Sequence, residues 1–393
     1  MKKIKYLLLI VLLTGCTNYK ELNSIAITTA ISVDYDNINN EYNTLVQVVN
    51  TLPKQDISSS NEPNFLNFYS NASSLTETIN KIVLESPKKL YTNQTQLLIL
   101  SEEIIKNHLD EVLDYFIRNP DIRGEMKVVL APNKEDLKGI TIQTLLDSLS
   151  SSNIVSSMEE SEKEGYIMCT TLNDLLDMYL NPYKEIVLPT IYVEGNLNEA
   201  NKEENITSTI YKGTVKVGNT AIFKDNNIIK YLSFDEEKYL NIIKGKLKMT
   251  SLKYNYKDGY IVFDLYNIKS KIIPDIKNNK VTLSIEGKAK SYETITNNAI
   301  ESTDKVKVIQ NFLNKEIKNN ITNIFNDIKD NYNTDVFNFR DSFYKSNPTY
   351  FKKNDNNWYE EVFPNLELIV ESDIHLYEKG KIKEEIKYVK ENR

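Results

Sequence analysis

An α+β protein of several mixed domains is what this sequence predicts, on three observations. Through the first half, apolar segments with a two-residue period alternate with short, capped helical patterns, which suggests mixed layers of sheet and helix. In the second half, long alternating segments precede one long amphipathic stripe, so a long helix is expected against an antiparallel sheet. Hydrophobic residues make up 40% of the 393, enough for real cores in two or three domains rather than a disordered chain.

Leu22 to Val33 alternates, with Ile25, Ile27, Thr29, Ile31 and Val33 on one strand face. After an Asn- and Asp-rich turn, Tyr42 to Asn50 forms the other arm of a hairpin. Pro53 to Pro63 reads as a loop and Phe65 to Tyr69 as a short strand. Ser74 and Glu77 have capping-box spacing for a helix that turns Leu75, Ile79, Ile82 and Val83 inward and stops before Pro87. Gln96 to Leu100 is a compact apolar strand. Ser101 caps a longer helix whose Ile104, Ile105, His108, Leu109, Val112, Leu113 and Phe116 form one face, ended by Pro120. Met126 to Leu130 is a strand, Thr171 and Asp174 cap a further helix, and Ile186 to Val193 is extended.

The polar, aperiodic stretch 195–205 reads as the linker between an N-terminal domain, 16–194 (divisible near 137), and a C-terminal domain, 206–378. Beyond it, strands are expected over Ser208–Val217, Thr220–Phe223 and Ile228–Leu232, the last two joined by a hairpin turn at Lys224–Asn227. A short helix follows near Asp235–Lys244. Long strands run through Tyr254–Lys271 and Lys280–Lys290, with turns at Asp258–Gly259 and Asn278–Asn279. The helix from about Asp304 to Asp330 carries Val306, Ile309, Leu313, Ile317, Ile321, Ile324 and Ile328 on one stripe. An aromatic, irregular block, Phe337 to Phe363, precedes a last strand with Leu366, Leu368, Val370, Ile374 and Leu376, and a charged tail occupies 379–393.

The start of the chain indicates a compartment. Lys2, Lys3 and Lys5 precede an apolar run from Tyr6 to Leu13, then Thr14, Gly15 and Cys16. A positive stretch, a short apolar stretch and small residues at a cut site make residues 1–15 a secretory signal. The run is far short of the ~20 residues that cross a bilayer. The cysteine directly after Thr14 and Gly15 makes this the lipobox of a bacterial lipoprotein, with Cys16 as the lipid-attachment site and the mature chain held outside the cytoplasm on a membrane. The formal net charge of -7, before three signal lysines are removed, excludes general attraction to nucleic acid or anionic headgroups. Cys169 is the one other cysteine, so no disulfide forms within the mature chain, and its apolar surroundings suit a small buried side chain.

Candidate chemistry is sparse. The two histidines, His108 on the apolar face of its helix and His375 on the outer face of the last strand, have no partner spacing for zinc. No phosphate loop, dinucleotide fingerprint, metalloprotease motif or nucleophile elbow occurs. Acidic groups at Glu159, Glu160, Glu162 and Glu164, and at Glu360 and Glu361, could pair for glycoside hydrolysis, but such runs are usually solvated faces. Trp358 with Tyr344, Tyr350, Phe351, Tyr359 and Phe363 suits a sugar or peptide site less well than a core or a partner contact. Catalytic residues, cofactors and metals are therefore expected to be none.

Several stretches carry a family resemblance. Glu21-Leu22-Asn23, Ile25-Ala26-Ile27 and Ala30-Ile31-Ser32-Val33-Asp34 resemble the opening of the spore-germination C-subunit lipoproteins, the Ger(x)C family. Ser86-Pro87-Lys88-Lys89-Leu90-Tyr91 and Phe116-Ile117-Arg118-Asn119-Pro120-Asp121-Ile122-Arg123 are similar to two further motifs of that family. So are Leu188-Pro189, Thr220-Ala221-Ile222-Phe223-Lys224, and Asp335-Val336-Phe337 followed by Tyr350-Phe351 and Trp358. In this sequence Thr17 replaces an aromatic residue common after the lipidated cysteine, and Asn338 and Arg340 replace glycines, so a different local turn is expected there. The resemblance implies a non-enzymatic subunit of a nutrient germinant receptor, lipid-anchored on the outer face of the spore inner membrane beside integral-membrane A and B subunits. A solute-binding lipoprotein that captures a nutrient itself is the alternative.

Overall fold

The structure, a computed structural model, describes residues 24–51, 63–144, 146–295, 303–354 and 357–378. The expected signal, the lipid-attachment Cys16, most of the 53–63 loop and the 379–393 tail lie outside those residues. The chain builds two sheets. The first has ten strands: β1 Ile25–Asp36, β2 Glu41–Val49, β3 Phe65–Ala72, β4 Lys89–Tyr91, β5 Leu97–Ser101, β6 Lys127–Ala131, β7 Thr170–Thr171, β8 Val187–Gly195, β9 Gly213–Lys224 and β10 Asn227–Tyr231. Its main path runs β10-β9-β8-β6-β5-β1-β2-β3, with β4 beside β1 and β7 beside β6. The contacts β1–β5, β5–β6 and β6–β8 are parallel and the flanking hairpins antiparallel.

Helices cover both faces of the middle of this sheet. α1 Leu75–Lys81, α2 Glu102–Asn107, α3 Leu109–Arg118 and, later in the chain, α5 Leu172–Leu180 supply Leu75, Ile104, Val112, Phe116 and Leu175 to one core, with Ile31, Leu98, Leu100, Val128 and Leu130 of the strands. The alternate strand residues, Ala30, Leu97, Ile99 and Val129, enter a second core on the other face, closed by Leu137, Ile140 and α4 Ser150–Lys163. β1 is therefore buried on both sides and not on the single face its alternation suggested, because Leu137, Ile140 and α4 cover its second face. The second face carries hydrogen-bonded polar side chains: Ser32 Oγ donates to the Leu137 carbonyl at 2.7 Å, and Gln47 Nε2 to that of Ile140 at 2.7 Å. The helix expected after Ser101 breaks at His108, whose φ of -136° leaves the helical region. Ser74 caps α1 through the Glu77 amide, yet Glu77 turns to Ser73 rather than back to the cap, and Val83 faces solvent. Thr171 and Asp174 do form the reciprocal box.

The stretch 195–205 does not end this sheet. Its two helical turns, Leu197–Ala200 and Glu204–Thr207, return the chain to β9, which pairs with β8 from Gly195↔Gly213 to Val187↔Ile222. The stretch reads as polar because its anchor is polar. Asn205, 1% exposed, donates to the carbonyls of Gln143 and Gly213, both at 3.0 Å, and accepts from the amides of Lys212 and Gly213. The change of sheet comes later, at α6 Phe234–Ile243, which carries the Ser233/Glu236 capping box.

The second sheet has the order β11-β12-β13-β14, with β11 Met249–Tyr256, β12 Gly259–Asp275, β13 Lys280–Ile295 and β14 Glu367–Glu378. It is antiparallel as far as β13; β14 then joins parallel, after a crossover through α7 Thr303–Asp327, α8 Phe339–Ser346 and α9 Pro348–Asn354. The predicted stripe from Ile309 to Ile328 faces the sheet, with Leu313, Ile317 and Ile321 fully buried against Phe263, Leu283 and Ile285. Asn314 of α7 holds the outer edge of β14: its side chain donates to the Ile374 carbonyl at 2.9 Å and accepts the Ile374 amide at 2.8 Å. An edge so occupied is closed to further strands at that point.

Candidate functional site

Among the described residues, no three His, Cys, Asp or Glu side chains stand together as metal ligands. His375 is an exposed side chain of β14, 3.4 Å from Asp373. His108 stacks on Tyr35 at 3.7 Å and lies edge-on to Tyr42. Burial pushes the Cys169 thiol up to about 12, so it is not nucleophilic near neutral pH. Glu360 and Glu361 are exposed, and Glu162 accepts the Cys169 amide at 2.8 Å. Trp358, 1% exposed, packs against Phe343, Phe351 and Phe363, so that part of the aromatic block is core and offers no open ring to a sugar.

Two concavities stand out among the described residues. The larger, of about 500 Å³, lies between β2, the turn into α1, and α3. Tyr42, Glu111, Asp114, Tyr115 and Arg118 line it. Helical spacing places Glu111, Asp114, Tyr115 and Arg118 toward one opening, and the Tyr42 hydroxyl donates to the Glu111 carboxylate. Burial, then Glu111 itself, raises the Tyr42 pKa, which keeps the phenol protonated. Arg118 Nε donates to Asp114 at 2.6 Å. The walls mix apolar side chains such as Leu75 and Tyr115 with polar groups that bond one another.

The smaller concavity, about 290 Å³, lies where the two halves of the chain meet. The turn after α5 supplies Pro182, Lys184 and Glu185, and the C-terminal half supplies Arg340 and Tyr359. Arg340 donates to the Pro182 carbonyl at 3.0 Å, with its guanidinium 5.3 Å from the Tyr183 ring and 5.5 Å from that of Tyr359. Tyr359 donates to Glu185, a carboxyl whose pKa burial raises. Lys224 reaches the carbonyls of Tyr332 at 3.3 Å and Asn333 at 3.0 Å, and Lys230 pairs with both Glu236 and Asp327.

Beneath this rim lie two buried carboxyl groups and the half-buried Lys244. Asp335 accepts the amides of Phe339 and Arg340 and so starts α8, yet burial raises its pKa to about 7. Glu237 of α6, with Thr220 and Asn241 beside its carboxyl, is likewise raised by burial to about 7. Burial lowers Lys244 to about 8 against the pull of Glu237 and Asp335. Arg340, Tyr359 and Lys224 tie the two halves together across the seam, while Lys184 pairs with Asp177 within its own half.

The motif segments fall on structural positions. Leu188–Pro189 and Thr220–Lys224 lie on the paired strands β8 and β9, and Asp335 is the buried start of α8. Ser86–Tyr91 leads into β4, whose Lys89, Leu90 and Tyr91 pair in parallel with Ile25, Ala26 and Ile27. The local turn expected to differ at Asn338 does not require glycine. Asn338 takes φ 63°, the left-handed region that Asn tolerates better than other non-glycine residues. The sheet-to-helix seam was not legible in the sequence, because its members are spread from Glu185 to Tyr359.

With this geometry in hand, comparison with known proteins adds identity at the level of family. Residues 18–193 match the spore germination protein N-terminal domain, and residues 218–380 match the C-terminal domain of the spore germination B3/GerAC-like type. The chain is 23% identical over 386 residues to spore germination protein KC of Bacillus subtilis (strain 168), covering 95% of this chain and 94% of that one. It is 24% identical over 362 residues to spore germination protein B3 of the same organism, covering 89% and 90%. Among solved structures, the crystal structure of the GerBC protein superposes with a TM-score of 0.51 at 20% identity, over 88% of this chain and 97% of that one, which is a likeness of fold.

Proposed function

The chain belongs to the Ger(x)C family of spore germination proteins, and from that premise we propose that it is a lipid-anchored, non-enzymatic subunit of a nutrient germinant receptor. Cys16 carries the lipid, and the body sits on the outer face of the spore inner membrane against integral-membrane A and B subunits. The observation that carries the anchor is the run Leu13-Thr14-Gly15-Cys16 behind a short apolar stretch and three lysines. More than one acyl chain at Cys16 gives stable attachment, since each buried CH2 contributes about 0.8 kcal/mol. A role without chemistry is supported by the way acidic side chains are engaged: Glu111 by Tyr42, Glu185 by Tyr359, Asp335 by two amides.

Replacing Cys16 by Ala tests the reading. The variant is expected to lose lipid and to co-isolate poorly with the spore inner membrane, with germination slowed. Unchanged fractionation together with unchanged germination would overturn it. The cleft of about 500 Å³ favours a second reading, direct capture of a small nutrient. Calorimetry of the purified chain with amino acids, sugars and nucleosides separates the two, since saturable binding is expected only for the second.

A further inference from the structure

One apolar feature of the surface has no role in the fold. α1 passes into the single 3-10 turn Ile82–Leu84, which leads to β4. Ile82 is buried in the core, whereas Val83 is 60% and Leu84 82% exposed, and Pro87 is exposed as well. The turn does not depend on the two apolar side chains: Ser86 Oγ donates to the Lys88 carbonyl at 3.1 Å and accepts its amide at 3.3 Å. Polar residues at 83 and 84 would leave those bonds intact.

Position makes the feature informative. Lys89 pairs with Ile25, so this segment enters the sheet level with the first residue of β1, where the chain arrives from residues 1–23. Eight residue steps separate Cys16 from Ser24. Fully extended they span at most about 28 Å. A bilayer that holds Cys16 is therefore within that reach of this end of the sheet. The far end of β1, eleven residue steps away, lies roughly 36 Å further on. The local charge fits too. Across 82–89, Lys88 and Lys89 outnumber the single acid Glu85, although the whole chain is acidic. Lys88 Nζ donates to Thr51 Oγ1 at 2.9 Å, whereas Lys89 is exposed; a cation beside exposed aliphatic side chains matches the headgroup layer over acyl chains.

Resting on the lipid-anchor reading above, we propose that Val83, Leu84 and Pro87 insert into the interfacial layer of the bilayer that holds Cys16, with the exposed Lys89 among the headgroups. Two or three side chains bind a membrane weakly by themselves. The tether raises their local concentration, so a weak contact suffices to fix which end of the body faces the lipid.

The test uses the full, lipid-modified chain in vesicles of phosphatidylcholine and phosphatidylglycerol that include a spin-labelled phosphatidylcholine. An environment-sensitive fluorophore is placed on Leu84→Cys and, separately, on Ile38→Cys, a site 90% exposed in the turn at the far end of β1. Cys16 is blocked by its lipid, and Cys169→Ser is carried in both variants so that the label attaches only at the chosen site. Quenching severalfold stronger at 84 than at 38 is the expected result. Equal quenching in a chain that still co-sediments with vesicles would overturn this inference and leave the anchor standing. A lipid-modified chain that fails to co-sediment would overturn the anchor reading, and this one with it.

Discussion

The two sheets of this chain are buried in different ways. The first lies between two cores, so neighbouring residues such as Leu98 and Ile99 of β5 serve opposite sides of the sheet, and both are fully buried. The second has one core. On β13, Val281, Leu283, Ile285 and Ala289 are buried beneath α7, while Glu286, Lys288 and Lys290 are exposed. A two-sided sheet shows every apolar strand residue to the interior; a one-sided sheet shows every second one.

The largest effect should come from testing that difference residue by residue. Leu98→Ala and Ile99→Ala are each expected to cost about 2–5 kcal/mol in denaturant unfolding, despite pointing opposite ways. On β13 the pair should split: Leu283→Ala costs about 2–5 kcal/mol, and Glu286→Ala less than about 0.5 kcal/mol. A split in β5, or equal costs in β13, would break the comparison.

The seam between the sheets sharpens it through pH. Glu237 and Asp335 have folded pKa values raised to about 7, above their unfolded values, so the unfolded chain holds these protons less tightly. Their contribution is fully present below pH ~4 and is lost as pH rises through about 7. Stability should therefore fall from pH 5 to pH 7.5. A carboxyl shifted from 4.5 to about 7 accounts for roughly 3 kcal/mol of that fall. Lys244, depressed to about 8, adds an opposite dependence only above that pH. Glu237→Gln, which removes one titration, should flatten the profile between pH 5 and 7.5. An unchanged slope would show that the seam is not the source.

Asn205 is the next largest. Its four hydrogen bonds fasten the turn that brings β9 back to β8, and Asn205→Ala is expected to cost about 1–3 kcal/mol. Proteolysis within 196–212 should rise with it. The smallest effect is at Asn338. With φ at 63°, Asn338→Gly should alter stability by a few tenths of a kcal/mol, whereas Asn338→Ala should cost about 1 kcal/mol in thermal unfolding.

These positions also explain how much of the molecule could be read from sequence. The α7 stripe, the Thr171 cap, the hairpin turn at Asp225–Asn226 and the alternation of β12 were legible, since each depends on neighbours within a few residues. β1 was legible as a strand but not as a central one, because burial of its second face is decided by Leu137, Ile140 and α4, a hundred residues away. The stretch 195–205 looked like a linker for want of apolar residues; the buried amide that holds it has the composition of a loop. β9 was divided at Gly218, where the chain in fact continues as one strand from Gly213 to Lys224. Of the candidate site residues, Cys16 rests on local pattern alone, whereas Glu185, Arg340 and Tyr359 meet only after folding.

The passage of the first sheet across 195–205 also governs how the protein can be dissected. A fragment ended at 194 would remove β9 and β10, leaving β8 as an open edge with Leu188 and Ile191 stripped of cover. Phe223 and Ala221 would be missing from one core and Val215 from the other. Such a piece is a template for self-association. A cut after Leu232 keeps the ten strands together, though it bares the seam that α6 normally fills. Any recombinant half intended for binding or structural work therefore begins or ends near 232, not at the polar stretch that first invites the scissors.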